Sequence, residues 1–185
     1  TVNVIYHLLL GVPPIHTVKN SDNKDEDRLK LEEKILETLL AVAHTSVKIG
    51  REVELWLFEG GKWNKYEIND GKTINEIQYR LASYKFEKLP VSDFSKRLPL
   101  NEVVGNEEKN RYLKGTESMV FTGNYDNALY KAVENFAEYG IVVDTVLVDN
   151  YHSNIRGHNA EGSFINQQGN YWVLGVDEDI SEAFL

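Results

Sequence analysis

Apolar and polar positions follow two different periods along this chain, and their order predicts alternating strands and helices. Residues 2–10 are almost continuously apolar, which is typical of a strand buried on both faces of a sheet. Acidic residues at 25–27 then open a helical pattern, and Gly50 is its predicted stop. The residues predicted to lie along one stripe of this helix are Leu29, Glu32, Leu36, Leu39 or Leu40, Ala43 and Val47.

A hairpin and a second helix follow. Residues 52–58 alternate and then become apolar, Gly60 and Gly61 supply a tight turn, and residues 62–68 form the returning strand. The stretch from Thr73 to Glu76 has the spacing of a capping box. We therefore predict a helix starting at Thr73.

The second half of the chain contains two long segments without a clear period. Residues 87–116 predict a long irregular insertion, and residues 151–168 a second loop. Between them we predict a polar loop from 118, a helix over 126–139 and an apolar strand over 141–148. A last strand over 171–176 precedes a short helix over 177–184.

This order predicts an α/β fold in a single domain spanning 1–185. Strands that alternate with helices imply a mostly parallel central sheet covered by helices, here with an antiparallel edge strand from the hairpin. The expected architecture is a three-layer sandwich, and its order of elements resembles that of von Willebrand factor A-type and Rossmann-like domains.

Composition limits the possible partners and compartments. The net charge of −9 opposes binding to nucleic acid or to anionic membrane surfaces, so we expect neither. The chain has no cysteine, which excludes disulfides and thiolate chemistry and is consistent with a cytoplasmic location. No apolar run is long enough to span a bilayer. The sequence leaves the oligomeric state open.

Two segments resemble a known family. Residues 121–129, FTGNYDNAL, are similar to the threonine-containing loop and following helix of von Willebrand factor A-type domains. Residues 146–150, VLVDN, are similar to the strand of that family that ends in an aspartate. The resemblance implies a divalent-cation site at the loops, with Thr122, Asp126 and Asp149 as its ligands.

The first loop departs from the family pattern. Where the family has Asp-x-Ser-x-Ser, this strand ends in Leu9-Leu10-Gly11-Val12-Pro13, without an oxygen-bearing side chain. Hard cations need several oxygen ligands. We therefore expect no cofactor, the open alternative being a residual Mg²⁺ or Ca²⁺ site. Asp126 has a simpler explanation as a helix cap, and Asp149 as a turn residue.

Three functional hypotheses remain open. The first is a non-catalytic module that binds a protein partner through Tyr125, Asp149, Asn150, Tyr151 and His152. The second is a divalent-metal hydrolase, phosphoesterase-like, that uses the loops over 122–158, including His158. The third is a structural subunit of a larger assembly such as a virus particle, docked through residues 87–116. We expect no catalytic residues under the first hypothesis, which the missing motifs favour.

Overall fold

A computed structural model describes residues 5–10, 24–60, 62–86, 117–123, 142–149 and 169–183. These residues form six strands and three helices. In chain order they are β1 (Ile5–Leu10), α1 (Lys24–Lys48), β2 (Glu52–Glu59), β3 (Lys62–Ile68), α2 (Gly71–Ala82), β4 (Glu117–Thr122), β5 (Val143–Asp149), β6 (Tyr171–Gly175) and α3 (Ile180–Ala183).

All six strands belong to one sheet, in the order β3-β2-β1-β4-β5-β6. Every neighbouring pair is parallel except β2 and β3, which form the antiparallel hairpin. The prediction of an α/β fold with a mostly parallel sheet and an antiparallel edge strand is confirmed. The chain builds the sheet outward in two directions from its centre, because β1 lies between β2 and β4.

Helix α1 packs its buried face on this sheet. The buried side chains of the helix are Leu31, Ile35, Thr38, Leu39, Ala43 and Ser46. The predicted stripe was therefore wrong at its start, since Leu29 is 52% exposed and Leu31 takes its place. The alternative between Leu39 and Leu40 is resolved in favour of Leu39, which is fully buried.

Helix α1 ends at a glycine in the left-handed region, as predicted. Gly50 has φ of +81°, its N–H donates to the carbonyl of Val47, and the N–H of Arg51 reaches back to the carbonyl of Ser46. This pair of hydrogen bonds is a Schellman motif, which satisfies carbonyls that the helix leaves without partners. The chain then turns directly into β2.

The start of helix α2 differs from the prediction. Asp70, and not Thr73, is the N-cap, because its carboxylate accepts from the N–H of Thr73 at 2.8 Å. The Thr73 hydroxyl accepts in return from the N–H of Asp70 at 3.1 Å, which closes the capping box. The hydrogen bonds that the carboxylate of Asp70 accepts from the N–H and the hydroxyl of Thr73 lower the pKa of Asp70, since they stabilise its ionised form.

Strand β4 corrects a second prediction. Residues 118–122 were expected to form a polar loop, yet they lie in the centre of the sheet, hydrogen-bonded between β1 and β5. The hydroxyls of Ser118 and Thr122 concealed the strand, because only three apolar residues lie between them. The predicted helix over 126–139, the insertion over 87–116 and the loop over 151–168 lie outside the described residues.

Both faces of the sheet are buried. The face toward α1 carries a single apolar cluster that also includes Ile74, Ile77 and Leu81 of α2. On the opposite face Val120, Val143 and Leu147 are also buried, each with less than a twentieth of its surface exposed. Within the described part of the chain, no helix has the length and apolar character to span a membrane.

Candidate functional site at the carboxyl edge of the sheet

The strand order places a topological switch point between β1 and β4. From β1 the chain adds β2 and β3 on one side, and from β4 it adds β5 and β6 on the other. In open α/β sheets, ligands bind outside the carboxyl ends of the strands at such a point, because the connecting loops diverge there and leave a crevice. In this sheet Leu10 of β1 lies beside Phe121 of β4 at that edge.

Two of the predicted site residues occupy neighbouring strand ends at this edge. Thr122 is the last residue of β4 and pairs with Leu147 of β5. Asp149, the last residue of β5, lies two positions beyond Leu147 and pairs with Gly175 of β6. With a rise of about 3.3 Å per residue and about 4.8 Å between strands, the backbones of Thr122 and Asp149 lie roughly 8 Å apart.

Thr122 is held within the sheet. It was predicted to lie in a loop, but it ends a central strand and only 1% of its surface is exposed. Gly123, which follows it, is also buried. The other predicted ligand or partner-binding residues, Tyr125, Asp126, Asn150, Tyr151 and His152, lie outside the described residues, as does His158. For Asp149, the structure describes the backbone but not the side chain.

Several polar side chains of the described strands are buried, and no pattern in the sequence indicated that they would be. They are Glu54 of β2, Ser118 and Thr122 of β4, and Thr145 of β5. The carboxylate of Glu54 is 3.1 Å from the ammonium of Lys65 on β3, and this hydrogen bond raises the pKa of Lys65. Thr145 is different, because its hydroxyl finds no hydrogen-bond partner among the residues that the structure describes.

A histidine lies between two of these buried polar residues in the register of the sheet. His7 of β1 pairs with Glu54 on one side and with Ser118 on the other. The sequence favoured a core position for His7 because it lies within an apolar strand. The register adds that both of its neighbours across the sheet are buried polar residues, which no pattern along the chain could have indicated.

Among the described residues, no group of three or more His, Cys, Asp or Glu side chains is placed to hold a metal ion. No protein-family model matches the chain, and no curated protein sequence matches it. The basis for a functional proposal is therefore the geometry of the sheet edge.

Proposed function

We propose that this chain is a non-catalytic interaction module that binds a protein partner through the loops at the carboxyl edge of its sheet. The observation that carries the proposal is the switch point between β1 and β4, next to which Thr122 and Asp149 end neighbouring strands. The segments that leave these two strand ends contain Tyr125, Tyr151 and His152. Tyrosine is enriched at protein interfaces, where its ring buries apolar area and its hydroxyl keeps a polar contact.

The layout of the sheet supports a von Willebrand A-like fold as part of the same proposal. A central β1, a long first helix, a hairpin with an antiparallel edge strand and further parallel strands agree with the family resemblance of residues 121–129 and 146–150. In such a fold, the loops at the carboxyl edge form the binding surface. The sequence after β1, Gly11-Val12-Pro13, contains no side chain that could ligate a metal ion, which favours a protein partner over a cation.

The proposal is tested by removing the side chains that would contact the partner. Partner binding should be lost when Tyr125, Asp149 and Tyr151 are all replaced by alanine, measured by quantitative cross-linking and mass spectrometry in the source cells. The matched control is Tyr79→Ala, because Tyr79 is 81% exposed on α2, beside Glu59 and Gly60 of the hairpin and thus on the β3 side of the sheet, away from β4 and β5. Equal recovery of every partner by the triple variant and the control would refute the proposal.

A metal-dependent hydrolase is the second candidate, favoured by the neighbouring positions of Thr122 and Asp149 at strand ends. Calorimetric titration of Mg²⁺, Mn²⁺, Ca²⁺ and Zn²⁺ into metal-stripped protein distinguishes the two candidates. Binding of one ion per chain that is lost in Asp149→Ala would support a metal site and justify a screen for phosphoesterase activity. Without such binding, the hydrolase candidate fails and the interaction module stands on the partner experiment alone.

A further inference from the structure

A cleft of about 770 Å³ opens at the opposite, amino edge of the sheet. It lies between the last turns of α1, the first residues of β4, β5 and β6, and the start of α3. Its volume falls in the range of roughly 300–1,000 Å³ that is usual for small-molecule sites. This edge is distant from the loops assigned to the partner, so the cleft is a separate feature of the molecule.

The floor of the cleft is built by residues in register across the sheet. Met119 of β4 pairs with Asp144 of β5, and Asn170 follows beside it just before β6. One step further along β6, Trp172 pairs with Val146 and presents a half-buried indole to the cleft. The floor therefore combines a carboxylate with a flat aromatic surface and a methionine side chain.

Both carboxylates of the cleft are held in place by backbone N–H groups. Asp144 Oδ1 accepts from the N–H of Asn170 at 2.7 Å. Asp179 Oδ1 accepts from the hydroxyl of Ser181 at 2.7 Å and from its N–H at 2.8 Å, and these hydrogen bonds lower the pKa of Asp179. Charged groups held in this way lose little conformational freedom when a ligand binds.

The electrostatics of the cleft favour a cation. Among the described lining residues, two carboxylates face one basic side chain, Arg51, and Lys34, whose charge also acts on Asp179, is paired with Glu37 at 3.3 Å. The carboxyl end of α1, with Thr45 and Ile49 at the cleft, adds the negative end of the helix dipole. The cavity is much larger than a metal ion needs, and the apolar side chains of Met119 and Trp172 suit an organic body.

We propose that this cleft binds a small organic cation with a flat apolar body. The ammonium group lies between Asp144 and Asp179, and the body packs against the indole of Trp172. When the body is itself aromatic, as in the probe below, its packing against the indole contributes a further attraction. The site is independent of the carboxyl edge, so it stands or falls separately from the proposed protein partner.

The test uses tryptamine as the probe in calorimetric titration of the full chain, with indole-3-acetate as the anionic counterpart of the same ring. We expect saturable binding of one tryptamine and at least about tenfold weaker binding of indole-3-acetate, because a charge-assisted hydrogen bond is lost. Asp144→Asn should weaken tryptamine binding by about tenfold, for the same reason. The matched control is Asp177→Asn, since Asp177 is exposed next to the cleft but outside its lining.

A cleft-filling variant keeps the test decisive if Asp144→Asn fails to fold. Ala41 lines the cleft from α1, and Ala41→Phe places a ring in the cavity without changing a charge. Tryptamine binding should then be lost while circular dichroism shows a folded chain. Absence of saturable binding to the wild type, equal binding of both probes, or unchanged binding by Ala41→Phe would each overturn the proposal.

Discussion

Replacing Thr145 by valine should stabilise the protein, although the substitution removes a polar group from the centre of the sheet. Thr145 is fully buried in β5, and its hydroxyl has no hydrogen-bond partner among the described residues. Its backbone N–H is already satisfied by the carbonyl of Asn170 at 3.0 Å. Valine has nearly the same shape and suits a strand equally well, so the main change is removal of the buried hydroxyl.

The expected gain follows from the cost of burying that hydroxyl. An unsatisfied buried polar group costs about 1–3 kcal/mol, and the isosteric methyl group removes this cost without opening a cavity. We therefore expect the free energy of unfolding to rise by about 1–2 kcal/mol. With an m-value of about 2 kcal/mol/M in urea, the midpoint of unfolding should move up by roughly 0.5–1 M.

The matched control is Thr38→Val, because Thr38 is equally buried in α1 but donates its hydroxyl hydrogen to the carbonyl of Lys34 at 2.7 Å. Losing this bond should cost up to about 1 kcal/mol, so the two identical substitutions should change stability in opposite directions. Urea unfolding followed by tryptophan fluorescence measures both. A destabilised Thr145→Val would show that the hydroxyl has a hydrogen-bond partner and would refute the reasoning.

Three further predictions follow from the backbone and the helix cap. Gly169→Ala should cost about 2–4 kcal/mol in urea unfolding, since a Cβ there would lie 2.2 Å from the carbonyl oxygen of Val143 and push the chain away from β5. Gly50→Ala should cost about 1 kcal/mol and Gly50→Asn less, through the positive φ alone, because a methyl group at this position would meet no atom within 4 Å. Asp70→Asn should make the stability of the protein less sensitive to acid. Because the pKa of Asp70 is lowered from its ordinary value of 3.8, its carboxylate contributes stability above that pH, and this contribution is lost as pH falls further. Asparagine, in contrast, caps α2 at every pH. Unfolding curves at pH 7 and below pH 4 measure the last effect, and identical pH dependence of both proteins would contradict it.

The sequence predicted those elements whose signals are local. Gly50 marks the end of α1 because the residue there has a positive φ, which glycine adopts without steric cost. This signal depends on the residue alone and not on distant contacts. The hairpin was evident because Gly60 and Gly61 stand between two alternating stretches, and Glu59 indeed pairs with Lys62 across that turn. The parallel order followed from helices placed between strands, which leaves few other connections.

The errors share a different cause, since each depended on contacts between distant residues. Leu29 and Leu31 fit a helical period almost equally well, and only the position of the sheet decides that Leu31 is buried. Strand β4 has three apolar residues flanked by hydroxyls, a pattern that is ordinary for a loop edge. Its central position became evident only through its pairing with β1 and β5.

The same distinction separates the two candidate sites. Asp149 was predicted because a carboxylate at the end of an apolar strand is visible in the sequence. Asp144, at the start of the same strand, carries no such signal, because an acidic residue near a strand boundary is usually solvated. It becomes a candidate only when the register places it beside Met119, and when the backbone of Asn170, brought in by the close approach of Gly169, fixes its carboxylate. Candidate residues at the carboxyl edge can thus be inferred from strand ends, whereas candidates at the amino edge depend on how the strands pair.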